Sequence, residues 1–188
     1  MSFLSRKKTA AEAAVTAAEY RTDDVKTFVF EEFPMTLADL KKRPEADLKD
    51  PFGTAALTLV ALCVYVEDKE AGGEMLNFLR GPAKLSNFDR QFLADRFAEY
   101  DYVPASFFEG AAPENDYTPD EPYKLTVCAG AHSFDTEGYM TLFIKSGGAD
   151  SPRMIKLRNK PSTGEWFVWD YVGLLSGVKT PVSQNPWA

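Results

Sequence analysis

An α+β fold is predicted by three observations. Up to about residue 120 the apolar residues recur at helical spacing. From Tyr123 to Tyr171 the pattern changes to short β-rich runs of alternating character. Those runs are joined by glycine-bearing connections too short for a parallel crossover. The expected architecture is an N-terminal helical layer packed on a C-terminal four-stranded antiparallel meander. Three stretches are expected: a poorly packed segment over 1–30, a single α+β domain over 31–178 and an extended tail over 179–188.

Thr9 to Tyr20 is rich in Ala and Glu, with helix propensity but little apolar surface to bury, so a frayed or loosely docked helix is expected. Lys26–Phe30 reads as a short strand or an extended lead-in, stopped by Pro34. Thr36 is a candidate N-cap, with Asp39 at the box position and Leu37 and Leu40 facing inward. Asp50-Pro51 is a strong helix start, an acidic cap followed by proline where no N–H is needed. The helix that follows, to about Val66, is apolar nearly all round and is expected at the centre. Gly72-Gly73 is read as a break before a second helix carrying Met75, Leu76, Phe78 and Leu79, which Gly81-Pro82 ends. Ser86 and Asp89 form a capping box, and Phe88, Phe92, Leu93, Phe97 and Tyr100 make one helical face. A Pro-, Asn- and acid-rich loop over 110–122 leads into the sheet.

The strand candidates are Tyr123–Ala129, Tyr139–Lys145, Arg153–Asn159 and Glu165–Tyr171. Glu137-Gly138, Gly147-Gly148 and Thr163-Gly164 between them are read as hairpin turns with glycine at positive φ. Val172–Val178 is expected to form a short helix, and Trp187 is a large apolar group in the tail.

The chain of 188 residues has 45% hydrophobic and 26% charged residues, ordinary for a folded domain. A formal charge of −7 disfavours general binding to phosphate backbones, so no nucleic-acid partner is expected. The N-terminal stretch lacks an apolar h-region and Ala55–Val66 is too short to span a bilayer, so no secretory signal and no membrane partner are expected. Cys63 and Cys128 sit in apolar or strand-like runs without CxxC pairing, which points to buried free thiols and a reducing cytoplasm.

No complete catalytic, metal or nucleotide motif is present. His132 lies beside Ser133, Asp135 and Glu137, the raw material of acid–base chemistry, but in a stretch joining two strands. Glu114, Asp116, Asp120 and Glu121 do not follow the spacing of a calcium loop, and prolines interrupt them. No cofactor or metal is expected. The most distinctive loop is Ser146-Gly147-Gly148-Ala149-Asp150-Ser151-Pro152-Arg153, read either as an anion nest or as a turn with Asp150 paired to Arg153. Arg153, Lys156, Arg158 and Lys160 cluster in the third strand candidate, Lys156 and Arg158 sharing a face with Met154 as a basic strip or a wet sheet face. Trp166 and Trp169 point to opposite faces. The candidate binding residues are therefore Asp150, Arg153, Lys156, Arg158 and Trp187.

Several stretches together resemble a known family: Gly81-Pro82 with Leu85-Ser86 and Gln91–Arg96, Asn115–Pro119 with Glu121-Pro122-Tyr123, Glu137-Gly138-Tyr139, Ser146–Arg153, Trp166–Trp169 and the closing Asn185-Pro186-Trp187-Ala188. They are similar to a family of short soluble bacterial proteins, mainly from Firmicutes, classed as a domain of unknown function. The resemblance covers the chain after about residue 30 and implies a bacterial cytoplasmic protein, with no catalytic residues to carry over.

The expected function is a non-catalytic binding or protein-interaction module, its partner a protein or a small ligand. The tail with Trp187 docks on its own sheet or on a neighbour's, which would give a homodimer. The alternative is a small-ligand-binding or hydrolytic domain with a pocket between sheet and helices.

Overall fold

The computed structural model describes residues 21–187, so the expected helix over 9–20 lies outside the described residues. In chain order the elements are β1 (Val25–Phe30), α1 (Leu37–Leu40), α2 (Pro51–Glu67), α3 (Lys69–Arg80), α4 (Asn87–Glu99), β2 (Tyr123–Cys128), β3 (Tyr139–Ile144), β4 (Arg153–Lys160) and β5 (Glu165–Asp170). The strands form one antiparallel sheet in the order β1-β2-β3-β4-β5.

The sheet has five strands rather than four. The additional one is β1, from residues expected ahead of the folded unit. Its partner is β2, with Phe28 opposite Leu125 and Phe30 opposite Tyr123. Phe30 is fully buried and meets the rings of Phe33 and Phe108 edge-on, at centroid distances of 6.3 and 6.5 Å. Nothing local in the sequence marks a pairing partner so far downstream.

α2 lies across the inner face and touches every strand. Asp50 accepts a hydrogen bond from the Phe52 N–H, as its sequence position predicts. α3 packs against α2 and also reaches β5. Covered in this way, α2 buries Phe52, Leu57, Leu59, Val60 and Leu62 completely. At about 25 cal/mol per Å², each such side chain contributes roughly 1.5–3 kcal/mol. Two threonines in this helix are also buried, and both are satisfied: Thr58 donates to the Thr54 carbonyl (2.7 Å) and Thr54 to the Trp166 carbonyl (3.2 Å). The Trp166 N–H in turn donates to the Leu48 carbonyl at 2.7 Å. The outer edge of β5 is thereby clipped to the helical layer.

Gly72-Gly73 is not a break. α3 begins earlier, capped by Asp68, whose carboxylate accepts from Glu70 and Ala71 N–H groups, and it runs straight through both glycines. A Cβ on Gly72 would lie 2.3 Å from Cα of Tyr65. The glycine marks the close approach of α2 and α3 across a one-residue corner, a non-local contact that composition alone reads as a helix breaker. In α4 the Ser86–Asp89 capping box forms as expected, and Leu93 and Phe97 face the core. Phe88, expected on that face, is 78% exposed. It falls in the first turn, before the buried stripe begins.

The inner face of the sheet carries Leu125, Val127, Met140, Leu142, Ile144, Ile155, Leu157, Trp166 and Val168, all buried. The outer face carries Tyr139, Lys156, Arg158, Phe167 and Trp169. The register of β4 on β5 shifts between Lys156, opposite Asp170, and Leu157, opposite Val168, leaving Trp169 as the extra residue of a bulge. In place of the short helix expected over 172–178, a single 3-10 turn spans Val172–Leu175.

Gly72→Ala is expected to lower unfolding free energy by about 1–3 kcal/mol, the range for overpacking a tight contact, because the clash is with backbone. Urea unfolding measures it; unchanged stability would show that the α2–α3 corner is not close-packed.

Candidate functional site

The outer face at β3–β5 brings basic and aromatic side chains together. Tyr139 stands opposite Arg158, and Thr141 opposite Lys156. The Lys156 ammonium lies 5.0 Å from the Tyr139 ring centre. The Arg158 guanidinium lies 5.5 Å from Tyr139 and 4.8 Å from Trp169, and the two rings meet edge-on at 5.7 Å. These cation–π contacts hold the long basic side chains along the sheet instead of leaving them free in water.

Beside this cluster opens a surface pocket of about 330 Å³, lined by Arg80, Pro82, Arg158, Lys160, Phe167 and Trp169 among others. Three cations and no carboxylate line it. Its far wall is the turn after α3. Gly81 takes φ 57°, and a Cβ there would lie 2.4 Å from the Phe167 ring, so the helix stop also makes room for that ring. Arg80 Nε donates to the Ala83 carbonyl at 2.6 Å and braces the turn. Beneath it, burial pushes the Tyr171 phenol up to about 12 although the Arg80 charge acts in the opposite direction. Tyr171 is therefore neutral at physiological pH.

The five sequence candidates do not form one site. Lys156 and Arg158 belong to the outer-face cluster. Asp150 and Arg153 belong to a second constellation near the tail, and they are not each other's hydrogen-bonded partners. Asp150 pairs with Lys179 at 2.9 Å, and that hydrogen bond and charge hold its carboxyl below the usual range. Arg153 donates to the Gly177 carbonyl at 2.6 Å. Trp187 is 93% exposed and docks on nothing among the described residues.

The loop 146–153 is a structural knot. Gly147 and Gly148 do not take positive φ, unlike Gly138 (74°) and Gly164 (71°). A Cβ on Gly147 would lie 1.9 Å from the Ala111 carbonyl oxygen, and one on Gly148 1.8 Å from the Tyr117 hydroxyl. Both glycines are there for contact. Their N–H groups are already spent, Gly147 on the Ser106 carbonyl (2.8 Å) and Gly148 on Ser146 Oγ (3.2 Å), which removes the anion nest. Ser146 and Ser106 share a buried hydroxyl–hydroxyl hydrogen bond of 2.8 Å. The first part of the tail is tied into the same knot. Lys179 N–H donates to the Gly148 carbonyl (2.9 Å), and the Tyr117 hydroxyl donates to the Lys179 carbonyl (2.7 Å). Asp116 and Tyr117 both take left-handed φ, 53° and 56°, which aims that hydroxyl. Burial, then the nearby Tyr102 and Glu114, raises the Tyr117 phenol to about 12, keeping it a donor.

His132 is 85% exposed at the side chain, its Nδ1 2.8 Å from Asp135. Among the described residues no group of three His, Cys, Asp or Glu side chains could hold a metal ion, and no helix is long and apolar enough to cross a membrane. Cys63 and Cys128 are free and half-buried rather than fully enclosed. Burial raises both thiols above their ordinary value.

Sequence reasoning missed Tyr139, Phe167 and Trp169 as partners of the basic strip; it read Gly81-Pro82 correctly as a helix stop but not as a wall of the pocket. Period-two alternation places Trp169 on the outer face, but only the cross-strand register puts Tyr139 beside Arg158.

A helical layer on one face of a five-stranded antiparallel meander defines an α+β domain, with the basic–aromatic pocket between the β4–β5 edge and the turn after α3. The chain matches the family described as domain of unknown function (DUF6935) over residues 32–182, and it belongs to that family. No curated protein and no solved structure matches it.

Two outcomes are expected here. Tyr117→Phe removes the hydroxyl that holds the Lys179 carbonyl, at a cost of about 1 kcal/mol. Limited trypsin digestion should then cut after Lys179 faster than in the parent, and an unchanged rate would mean that other contacts hold the tail. With both thiol pKa values raised, little thiolate exists at pH 8. Iodoacetamide should label Cys63 and Cys128 about tenfold more slowly in the folded protein than in urea; equal rates would contradict the environment described.

Proposed function

We propose that this domain is a non-catalytic protein-interaction module of the bacterial cytoplasm, its family centred in Firmicutes, and that it recognises an acidic partner segment carrying an aromatic anchor. The observation that supports this is the three-cation pocket of about 330 Å³ with Phe167 and Trp169 in its wall, on a chain whose formal charge is −7. Glu165 stands opposite Lys160 and Asp170 opposite Lys156, so Arg80 and Arg158 are the cations a partner carboxylate meets, while the overall field repels nucleic acid. Trp and Arg are the residue types that dominate interface energetics. The alternative, a ligand-binding or hydrolytic pocket between sheet and helices, is disfavoured because α2 fills that interface and His132 stands in solvent.

The test is a titration with a glutamate-rich peptide bearing one tyrosine, followed by amide chemical shifts. Shifts are expected at Arg80, Arg158, Lys160 and Trp169. Arg158→Glu should weaken binding at least about tenfold, as for a charge pair at an interface, and Trp169→Ala should weaken it with stability changed by no more than about 0.5 kcal/mol, as at other surface sites. Shifts that gather elsewhere, or affinity indifferent to Arg158→Glu, would remove the proposal.

A further inference from the structure

The two edges of the sheet are treated differently. At β5 the Trp166 N–H and carbonyl are both taken, by Leu48 and Thr54. At β1 they are not. The Ala129 N–H donates to the Asp24 carbonyl at 2.8 Å, and Asp24 lies one residue before Val25, which stands opposite Cys128. By antiparallel alternation Lys26, Phe28 and Phe30 then turn their main-chain groups to β2, while Val25, Thr27 and Val29 turn theirs outward. Of those outward groups only the Val29 carbonyl has a partner among the described residues, the Arg43 guanidinium at 3.2 Å. Val25 and Val29 are also 59% and 41% exposed. Edge strands are ordinarily blunted by an outward lysine, a proline or a bulge. None of Val25, Thr27 and Val29 is charged or proline and the β1–β2 register is uninterrupted; the charges at this edge are Lys26, which faces inward onto Asp50, and Arg43 at the Val29 carbonyl.

We infer that the β1 edge is a self-association surface, at which β1 of a second copy adds antiparallel to make one continuous sheet. The occupant is chosen by the sequence of the edge itself. A two-fold contact must be self-complementary, and Val25-Lys26-Thr27-Phe28-Val29 is, with Thr27 on the axis. Val25 then lies opposite Val29 of the other copy on the outer face; on the inner face Lys26 stands opposite Phe28, its ammonium kept by Asp50 and Phe52 of its own copy. Sliding by one step toward the N-terminus puts Lys26 against Lys26, and sliding the other way moves Val25 opposite Glu31. The Val29 carbonyl has a second lone pair, so Arg43 need not leave. The contact is separate from the basic–aromatic pocket on β4 and β5 and does not depend on it.

A single pair of strands buries less than the roughly 1,200 Å² of a stable interface, so the dimer is expected to be weak, with a Kd of about 100 µM. Sedimentation of the full chain from about 10 µM to 1 mM should show reversible dimerisation in this range. Asp23 and Glu31 of opposite copies come near each other at the strand ends, so raising salt from about 50 to 500 mM should tighten the dimer by screening them. Thr27→Pro removes an outward N–H at a position where an edge strand tolerates proline, and Val25→Lys adds a charge to the edge; each should raise the Kd at least tenfold while the melting temperature holds. Thr27→Cys places two thiols on the axis, within disulfide reach for a directly opposed pair. Oxidation should give a covalent dimer whose bridge maps to position 27. A monomer at 1 mM, a dimer indifferent to both edge variants, one weakened by salt, or a bridge mapped elsewhere would overturn the inference.

Discussion

The structure depends on a helix that is apolar on every side. A helix with one apolar stripe needs one neighbour; α2 needs cover all round, because nearly all of its residues are buried. The sheet supplies part of that cover and α3 another part. The remaining chain follows from that demand. Asp68 both ends α2 and caps α3, so the second helix turns back at once. Gly72 then lets the two helix backbones approach closely. The buried hydroxyls of Thr54 and Thr58 have to find acceptors inside the core. Thr54 finds one on β5, and the central helix is stitched to the sheet edge by the same group that would otherwise destabilise it.

One consequence concerns where binding chemistry can sit. With the inner face committed to α2, a cavity between sheet and helices would expose the surface whose burial stabilises the fold. The outer face carries exposed side chains, Met154 and Trp169 among them. Its composition differs from a merely solvated face, because Tyr139, Phe167 and Trp169 stand among Lys156, Arg158 and Lys160. The bulge at Trp169 sharpens the difference, since an extra residue re-aims a side chain without disturbing the buried alternation on either side.

Much of the local structure was legible in the sequence. The caps at Thr36, Asp50 and Ser86, the central helix, the inward sets of β2 and β3 and the turn glycines Gly138 and Gly164 all follow from spacing and backbone chemistry within a few residues. What escaped was non-local. β1 looks like a lead-in until β2 is known, because pairing partners about 100 residues apart leave no mark on either segment. Gly72, Gly147 and Gly148 read as flexible punctuation, and each is instead a place where another part of the chain approaches too closely for a Cβ. Asp150 and Arg153 look like neighbours across a turn, yet Asp150 reaches Lys179 and Arg153 reaches Gly177. The site suffered the same loss: Lys156 and Arg158 were visible, while the aromatic residues from β3 and β5 that give them a chemical character were not.

The knot around residues 146–148 ties the first part of the tail to the sheet. Ser106, Ala111, Tyr117, Gly148 and Lys179 come from three separated stretches and meet through main-chain hydrogen bonds, close glycine contacts and the Tyr117 hydroxyl. Contacts of that kind leave no slack, because a displaced carbonyl has no rotamer to absorb the movement. The basic–aromatic pocket lies on β4 and β5, and β4 begins directly after the knot at Arg153. The Arg153 side chain spans from the first residue of that strand to the Gly177 carbonyl at the base of the tail. The tail is thus fastened to the strand that carries Arg158, while Trp187 at its end remains in solvent. β4 therefore carries the pocket-lining Arg158 and Lys160 toward one end and the anchor of the tail at the other.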